Sequence, residues 1–238
     1  MSPVRSRMAA ALATAALAAA PVGGCAVVHT INKVRHIVNG NRSVIKTFTA
    51  GLRSGQASAF EATYSTVGGS PTTVTYAVRP PKDVAFVQAA AGDSSGTSDL
   101  NLISNAKGEY ACSRASAEAG WSCQKLSKVE ALAQNQLADF YTPSHWITFL
   151  QTFSIAAGIA GDKVTTSSMT VNGFAMKCVD FRAKGIKGLS TICTTAQDIL
   201  GYVKVPGEST SFEITGYKAT PSGSLFRLPA GAKITKSG

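Results

Sequence analysis

The sequence predicts an α+β protein in which an antiparallel sheet packs against a few helices. The first observation is a set of short segments, about ten residues apart, in which apolar and polar side chains alternate. The second is a pair of regions with helical periodicity, one before the strands and one between two groups of strands. The third is the composition of the 238 residues, 45% hydrophobic and 15% charged, which suits a folded domain and excludes a disordered chain.

Residues 1–24 are predicted to be a lipoprotein signal peptide. Arg5 and Arg7 precede an apolar run, 8–20, which is too short to cross a bilayer and suits the core of a secretory signal. The following segment, Val-Gly-Gly-Cys ending at Cys25, resembles the lipobox of bacterial lipoproteins. That resemblance implies that the Cys25 thiol receives a diacylglyceryl group. The alternative is ordinary secretion that leaves a free cysteine close to the new N-terminus.

A lipidated Cys25 would hold the protein on the extracytoplasmic face of the cell membrane, because two acyl chains are enough for stable anchoring. Residues 25–42 are predicted to be a basic tether, and residues 43–238 a single domain. The chain contains no acidic residue before Glu61, and its net charge is +10, or +8 without the signal peptide. Cations beside an anchor favour anionic lipid, although a solvated basic helix face would have the same composition. The basic residues in question are Lys33, Arg35, Arg42, Lys46 and Arg53.

Four cysteines remain when Cys25 is set aside, an even number that suits disulfides in an oxidising, exported environment. Three connectivities are possible. We favour Cys112 with Cys123 and Cys178 with Cys193, because each pair flanks a segment typical of a turn. Each disulfide would close a loop of about 12 to 16 residues and contribute about 3 kcal/mol. A four-cysteine metal site is disfavoured, since the sequence has no C-x-x-C spacing.

The first half of the body begins with helical periodicity over residues 26–53. Asn39–Gly40–Asn41 is predicted to break this helix, and Ser43 to cap a second one. Short alternating segments separated by turns then indicate an antiparallel meander. Its predicted strands are 60–65, 73–78, 84–90, 100–104, 109–113 and 121–126.

Two helical segments separate this meander from a second group of strands. Residues 129–140 are rich in Ala, Leu, Gln and Glu, and Pro143 opens a helix with an apolar stripe from Trp146 to Ala157. Asn172–Gly173 is typical of a hairpin turn. The predicted strands of this half are 164–171, 174–183, 189–195, 200–205 and 211–218. The apolar pattern then ends with Leu225, Phe226 and Leu228.

This order of elements after a lipidated cysteine resembles the LolA-like superfamily, which includes periplasmic lipoprotein carriers and envelope lipid carriers of the LppX and LprG type. The resemblance extends over residues 43–232. Its most specific segments are 60–64, 110–113 with 121–123, and 212–217 with 226–231. It implies an incomplete antiparallel β-barrel covered by helices, with a lipid or an acylated molecule bound between sheet and helices.

We therefore expect a membrane-anchored lipoprotein that binds or carries a lipid or another hydrophobic envelope molecule. A cavity for an acyl chain needs no catalytic residue, although the same side chains could simply fill a core. The candidate lining consists of Phe60, Tyr64, Tyr76, Phe86, Trp146, Phe149 and Phe153. The alternative is a non-catalytic surface module that binds an envelope protein or an anionic polymer.

The sequence has no recognisable motif for an enzyme, a nucleotide cofactor or a metal. Beyond position 36 the single histidine is His145, and its place at a predicted helix start favours a surface role over catalysis. The basic and aromatic residues do not form an RNA-binding motif. We expect no enzyme activity, no cofactor, no metal and no nucleic-acid partner. The expected protein is a monomer whose partners are membrane lipid, through Cys25, and an acyl-chain ligand.

Overall fold

The computed structural model describes residues 24–67, 72–89, 99–116, 118–127, 138–160, 162–182, 188–206 and 211–236. The predicted signal peptide up to position 23, the predicted loop 92–98 and residues 129–137 of a predicted helix lie outside these ranges. Within the described residues the long helices are α1 (Gly24–Gln56) and α2 (Pro143–Ala160), and a short 3-10 helix covers Gly223–Phe226.

The strands follow the two predicted groups, and a further strand closes the chain. They are β1 (Phe60–Val67), β2 (Thr73–Arg79), β3 (Asp83–Ala89), β4 (Asp99–Asn105), β5 (Gly108–Arg114), β6 (Ser122–Lys125), β7 (Thr165–Val171), β8 (Phe174–Phe181), β9 (Ser190–Thr195), β10 (Leu200–Lys204), β11 (Ser211–Lys218) and β12 (Lys233–Lys236). The predicted strands are confirmed with small shifts at their ends. β12 was not predicted, because Ile234 is its single apolar residue and gives no alternating pattern.

These twelve described strands form one open sheet in the order β12-β6-β5-β4-β3-β2-β1-β11-β10-β9-β8-β7. Two meanders, β1–β6 and β7–β11, meet at the centre, where β1 pairs with β11 and Glu61 lies opposite Lys218. Neighbouring strands are antiparallel except for β12, which pairs parallel to β6. The prediction of a mainly antiparallel sheet with helices is therefore confirmed.

Side chains alternate between the two faces of this sheet, which we call the helix face and the tail face. Phe60, Tyr64 and Tyr76 lie on the helix face and share one buried core with side chains of α1 and α2. Ala77 and Ala85 lie on the tail face, where Phe226 of the 3-10 helix packs against them. Because both faces of β2 and β3 are covered, the middle of the first meander is buried on both sides.

Helix α1 is continuous, so the predicted break at residues 39–41 is wrong. The Asn41 side chain is buried, and its amide nitrogen donates to the Asp162 carbonyl at 3.0 Å. Its oxygen accepts from the Val164 backbone N–H at 2.9 Å. Asparagine disfavours helices when it bonds to its own neighbouring backbone. Here its partners lie in the connection from α2 to β7, so Asn41 instead joins α1 to the domain, inside the segment predicted as a tether.

The C-terminal end of α1 makes a close approach to the turn between β9 and β10. A methyl group placed on Gly55 would lie 2.3 Å from the Asp198 backbone oxygen, and one on Gly51 would lie 2.8 Å from an Asp198 carboxylate oxygen. Larger residues at these positions would push α1 away from the sheet. The two glycines therefore determine how closely the helix packs.

Both disulfides join directly opposite residues of neighbouring strands. Cys112 of β5 pairs with Cys123 of β6, and Cys178 of β8 pairs with Cys193 of β9. The Cα atoms are 4.0 Å apart in each pair. The predicted local connectivity is confirmed, and each meander carries one of the two bonds.

Candidate ligand site

The seven aromatic residues that were predicted to line a cavity fall into two groups. Five of them are at most 3% exposed and belong to the core on the helix face: Phe60, Tyr64, Tyr76, Phe86 and Trp146. Phe149 and Phe153 lie at the margin of this core, and Phe149 is 36% exposed. Only the second pair is therefore placed to contact a molecule at the surface of α2.

Tyr141 occupies the centre of the buried aromatic group and was missed by the sequence reasoning. Its ring centre lies 4.6 Å from that of Phe212, 5.4 Å from Tyr64 and 5.5 Å from Phe86. The residue directly follows Phe140, just before the proline that opens α2. An aromatic doublet at such a helix entry is a signal that could have identified it.

Two buried polar atoms of this core bond to backbone carbonyls. The Tyr64 hydroxyl donates to the Leu200 carbonyl at 3.1 Å, and the Trp146 indole N–H donates to the Phe140 carbonyl at 2.6 Å. Burial raises the pKa of Tyr141 to about 12 and raises the pKa of Tyr64 still further. These hydroxyls therefore stay neutral at any physiological pH, and the core is suited to apolar contacts.

An open groove of about 710 Å³ runs along the outer side of α2, and we call it the α2 groove. Its helix residues recur at spacings of three and four, which places them on one stripe of the helix. The rings of Phe149 and Phe153 stack at 5.9 Å, and Phe153 rests 4.4 Å from the buried ring of Phe181. The lining consists of Asp139, Thr142, Ser144, His145, Thr148, Phe149, Thr152, Phe153 and Ala156.

A smaller cavity of about 210 Å³ lies between the first meander and the turn that precedes α2. It reaches the core side chains Tyr76 and Phe86, and Asp139 and Thr142 line both this cavity and the α2 groove. The turn at residues 138–142 is thus the wall shared by a surface groove and a recess into the core. The buried rings of Tyr76 and Phe86 lie on one side of this turn, and the open α2 groove lies on the other.

A third groove of about 600 Å³ separates α1 from strands β7 and β8. Val44 and Phe48 form its apolar part, whereas the strands contribute hydroxyl groups and the Lys177 ammonium. This groove has a larger polar share of its lining than the α2 groove, because of these hydroxyl and ammonium groups. An acyl chain would therefore meet more polar surface here than along α2.

Three further observations concern metal ligands, membrane-spanning helices and His145. Within the described ranges, no three His, Cys, Asp or Glu side chains come close enough together to hold a metal ion. No described helix is long and apolar enough to cross a membrane. His145 stacks on Phe140 with 5.2 Å between the ring centres, so it forms part of the groove wall.

No protein-family model matches the chain, and no curated protein sequence is significantly similar to it. Solved structures that resemble the fold include the following two. The crystal structure of MucB aligns with 79% of this chain and 64% of its own, at 12% identity and a TM-score of 0.48. This chain therefore spans less than two thirds of MucB. An uncharacterized conserved protein from Thermus thermophilus aligns with 81% of this chain and 98% of its own, at 8% identity and a TM-score of 0.46.

Proposed function

We propose that this protein is a membrane-anchored lipoprotein that binds or carries a lipid or another hydrophobic envelope molecule. In this proposal Cys25 is the lipidated anchor, the open sheet and its helices form an incomplete barrel of the LolA-like type, and the monomer acts without a cofactor or a catalytic residue. The observation that carries the proposal is the α2 groove, an apolar and accessible surface that continues beside a recess into the aromatic core.

The size and chemistry of the α2 groove support an elongated apolar ligand. Its volume of about 710 Å³ lies within the range of small-molecule sites. Phe149 and Phe153 offer stacked ring faces along its length, and Phe149 stays partly exposed although it is large and apolar. Exposed apolar surface of this kind is stabilised when a ligand covers it.

The polar residues of the groove suit the head of an amphiphile. Thr148 and Thr152 stand beside the rings, while Ser144 and His145 lie near the helix start. Hydroxyl groups can donate and accept hydrogen bonds, so they can hold an ester or a carboxylate at a fixed position. The acyl chain would then extend along Phe149 and Phe153.

A fluorescent fatty acid, dansyl undecanoic acid, tests this assignment on the purified protein. The native chain should bind the probe with a rise and a blue shift of the dansyl emission. Phe149→Asp combined with Phe153→Asp should weaken binding by about tenfold or more. Each substitution replaces a ring of the α2 groove with a charge that the acyl chain would have to contact. Native mass spectrometry of protein purified from its own host should show an extractable lipid.

Ile155 provides the matched control for this experiment. It is 41% exposed on the same helix but does not line the groove. Ile155→Asp should therefore leave the affinity for the probe unchanged. Equal binding by the Phe149/Phe153 variant, or a host-purified protein without lipid, would overturn the proposal and favour a surface module for a protein or polymer partner.

A further inference from the structure

The exposed side of α1 carries a straight row of positive charges. Arg35, Arg42, Lys46 and Arg53 are all exposed and are spaced by seven, four and seven residues. With 3.6 residues per turn, this spacing keeps the four side chains within about 40° of one another around the helix axis. We call these four residues the α1 stripe.

The α1 stripe lies about a quarter turn around the helix axis from the surface that α1 packs into the domain. Asn41, Ile45 and Leu52 are buried and lie on another side of the same helix. Among the described residues, no carboxylate lies within salt-bridge distance of the stripe, and the ion pairs found there involve Arg79, Arg114 and Lys218 instead. The stripe therefore presents four uncompensated cations to the surroundings.

The continuity of α1 gives this row a fixed length and direction. Because the helix does not break at Gly40, Arg35 and Arg53 are held about 27 Å apart on one rigid rod. Helix α1 begins at Gly24, and the chain has no acidic residue before Glu61. A flat array of cations on a rigid helix matches a flat anionic surface, since all four can reach it together.

We propose that α1 lies flat on a membrane and that the α1 stripe binds the headgroups of anionic phospholipids. Each cation near such a surface strengthens binding by about fivefold. The four act together because the helix cannot bend to separate them. The domain is thereby held in one orientation relative to the lipid.

Vesicle binding by the chain from Ala26 to Gly238 tests this proposal, since that chain lacks both the signal peptide and Cys25 but keeps nearly all of α1 and every other described element. Vesicles of equimolar phosphatidylglycerol and phosphatidylcholine should bind it, and pure phosphatidylcholine vesicles should not. The variant R35Q/R42Q/K46Q/R53Q should bind the anionic vesicles at least about a hundredfold more weakly. Added salt should release the wild-type chain.

An equal loss of charge elsewhere provides the control. Lys82, Lys107, Lys204 and Lys233 are exposed and lie outside α1, so K82Q/K107Q/K204Q/K233Q should bind nearly as well as wild type. Equal losses in both variants would show that net charge alone attracts the protein, which would overturn the proposal. Retention on an anionic polymer without vesicle binding would also overturn it.

Circular dichroism confirms the fold of each variant. Binding of the fatty-acid probe in the α2 groove is measured separately, so the proposed function can fail while this proposal holds.

Discussion

Single residues decide how the segments of this protein are joined. Asn41 joins α1 to the start of β7 through one side chain that both donates and accepts. Glu61 joins β1 to the end of β11 and to the residue before the 3-10 helix. Its carboxylate accepts from the Lys218 ammonium at 2.7 Å and from the Ser222 backbone N–H at 2.8 Å. Each is a buried polar group whose partners are distant in sequence, and each is satisfied only in the complete fold.

Replacing Asn41 with alanine should lower the free energy of unfolding by about 2 kcal/mol, because the Val164 N–H and the Asp162 carbonyl lose their partner. Urea denaturation followed by circular dichroism measures this difference. Asn39→Ala is the control, since Asn39 is exposed on the same helix and has the same change in helix propensity. A similar stability for both variants would contradict the role assigned to Asn41.

Glu61 should make stability depend on pH in the acidic range. Burial alone would raise the pKa of its carboxyl group, but the bonds from Lys218 and Ser222 outweigh this and lower the pKa below 4.5. A lowered pKa in the folded state stabilises the protein above the unfolded-state pKa, and this contribution is lost as the pH falls through the folded-state value. Wild-type stability should therefore decline below about pH 4.5, and Glu61→Gln should decline less.

Lys218→Met provides an independent check on this pH dependence. It removes the cation that helps to lower the pKa of Glu61, so it should flatten the same part of the profile. The effects of the two substitutions should not add, because they remove one shared interaction. Parallel pH profiles for wild type and Glu61→Gln would show that this carboxylate does not control acid stability.

At the scale of elements, helix α1 combines two glycines with opposite roles. A methyl group on Gly40 would have no atom within 4 Å, whereas one on Gly55 would meet the Asp198 backbone. Glycine in an open helix position costs conformational entropy with no packing benefit. Glycine at a close approach is required by the neighbouring backbone.

Gly40→Ala should therefore raise the free energy of unfolding by about 0.5 to 1 kcal/mol. Gly55→Ala should lower it by about 1 to 3 kcal/mol, because the turn at Asp198 must shift to admit the methyl group. Thermal unfolding of the two variants gives shifts in Tm of opposite sign. Shifts of the same sign would contradict the close packing of α1 on this turn.

The elements also show how far the sequence alone can predict this protein. Short alternating or apolar segments bounded by turn residues identified every strand from β1 to β11. The break in α1 was wrong because Asn41 finds its partner 121 positions away, at Asp162, which no local pattern reveals. Seven aromatic residues of the site were identified and Tyr141 was missed. Whether Trp146, Phe149 and Phe153 enter the core or the groove depends on how α2 is rotated against the sheet, and spacing does not determine that rotation.

On the scale of the whole molecule, each meander has its own disulfide, and the two bonds have different surroundings. Cys112 and Cys123 pack with Trp121, Leu228 and Ala232, so this bond stabilises the strands that hold the C-terminal segment. Cys178 and Cys193 belong instead to the main core. The two bonds thus stabilise different ends of the sheet.

Removing either disulfide should lower the free energy of unfolding by about 3 kcal/mol in the chain-entropy model. The local consequences should differ. Cys112→Ala with Cys123→Ala should expose the segment after Arg227 to carboxypeptidase, because β12 pairs with β6. Cys178→Ala with Cys193→Ala serves as the control and should leave that segment resistant. Equal digestion of both variants would show that the bond does not hold the C-terminal segment.

The pairing of β1 with β11 has a consequence for the order in which the protein can fold. Glu61 and Lys218 are 157 positions apart in sequence, yet they lie side by side in the middle of the sheet. A chain that emerges from its N-terminus exposes β1 early, but the neighbour of β1 follows only after both meanders. Such distant pairing also slows folding, because the intervening chain must first be closed into a loop. The central seam therefore forms late, after both meanders have been synthesised.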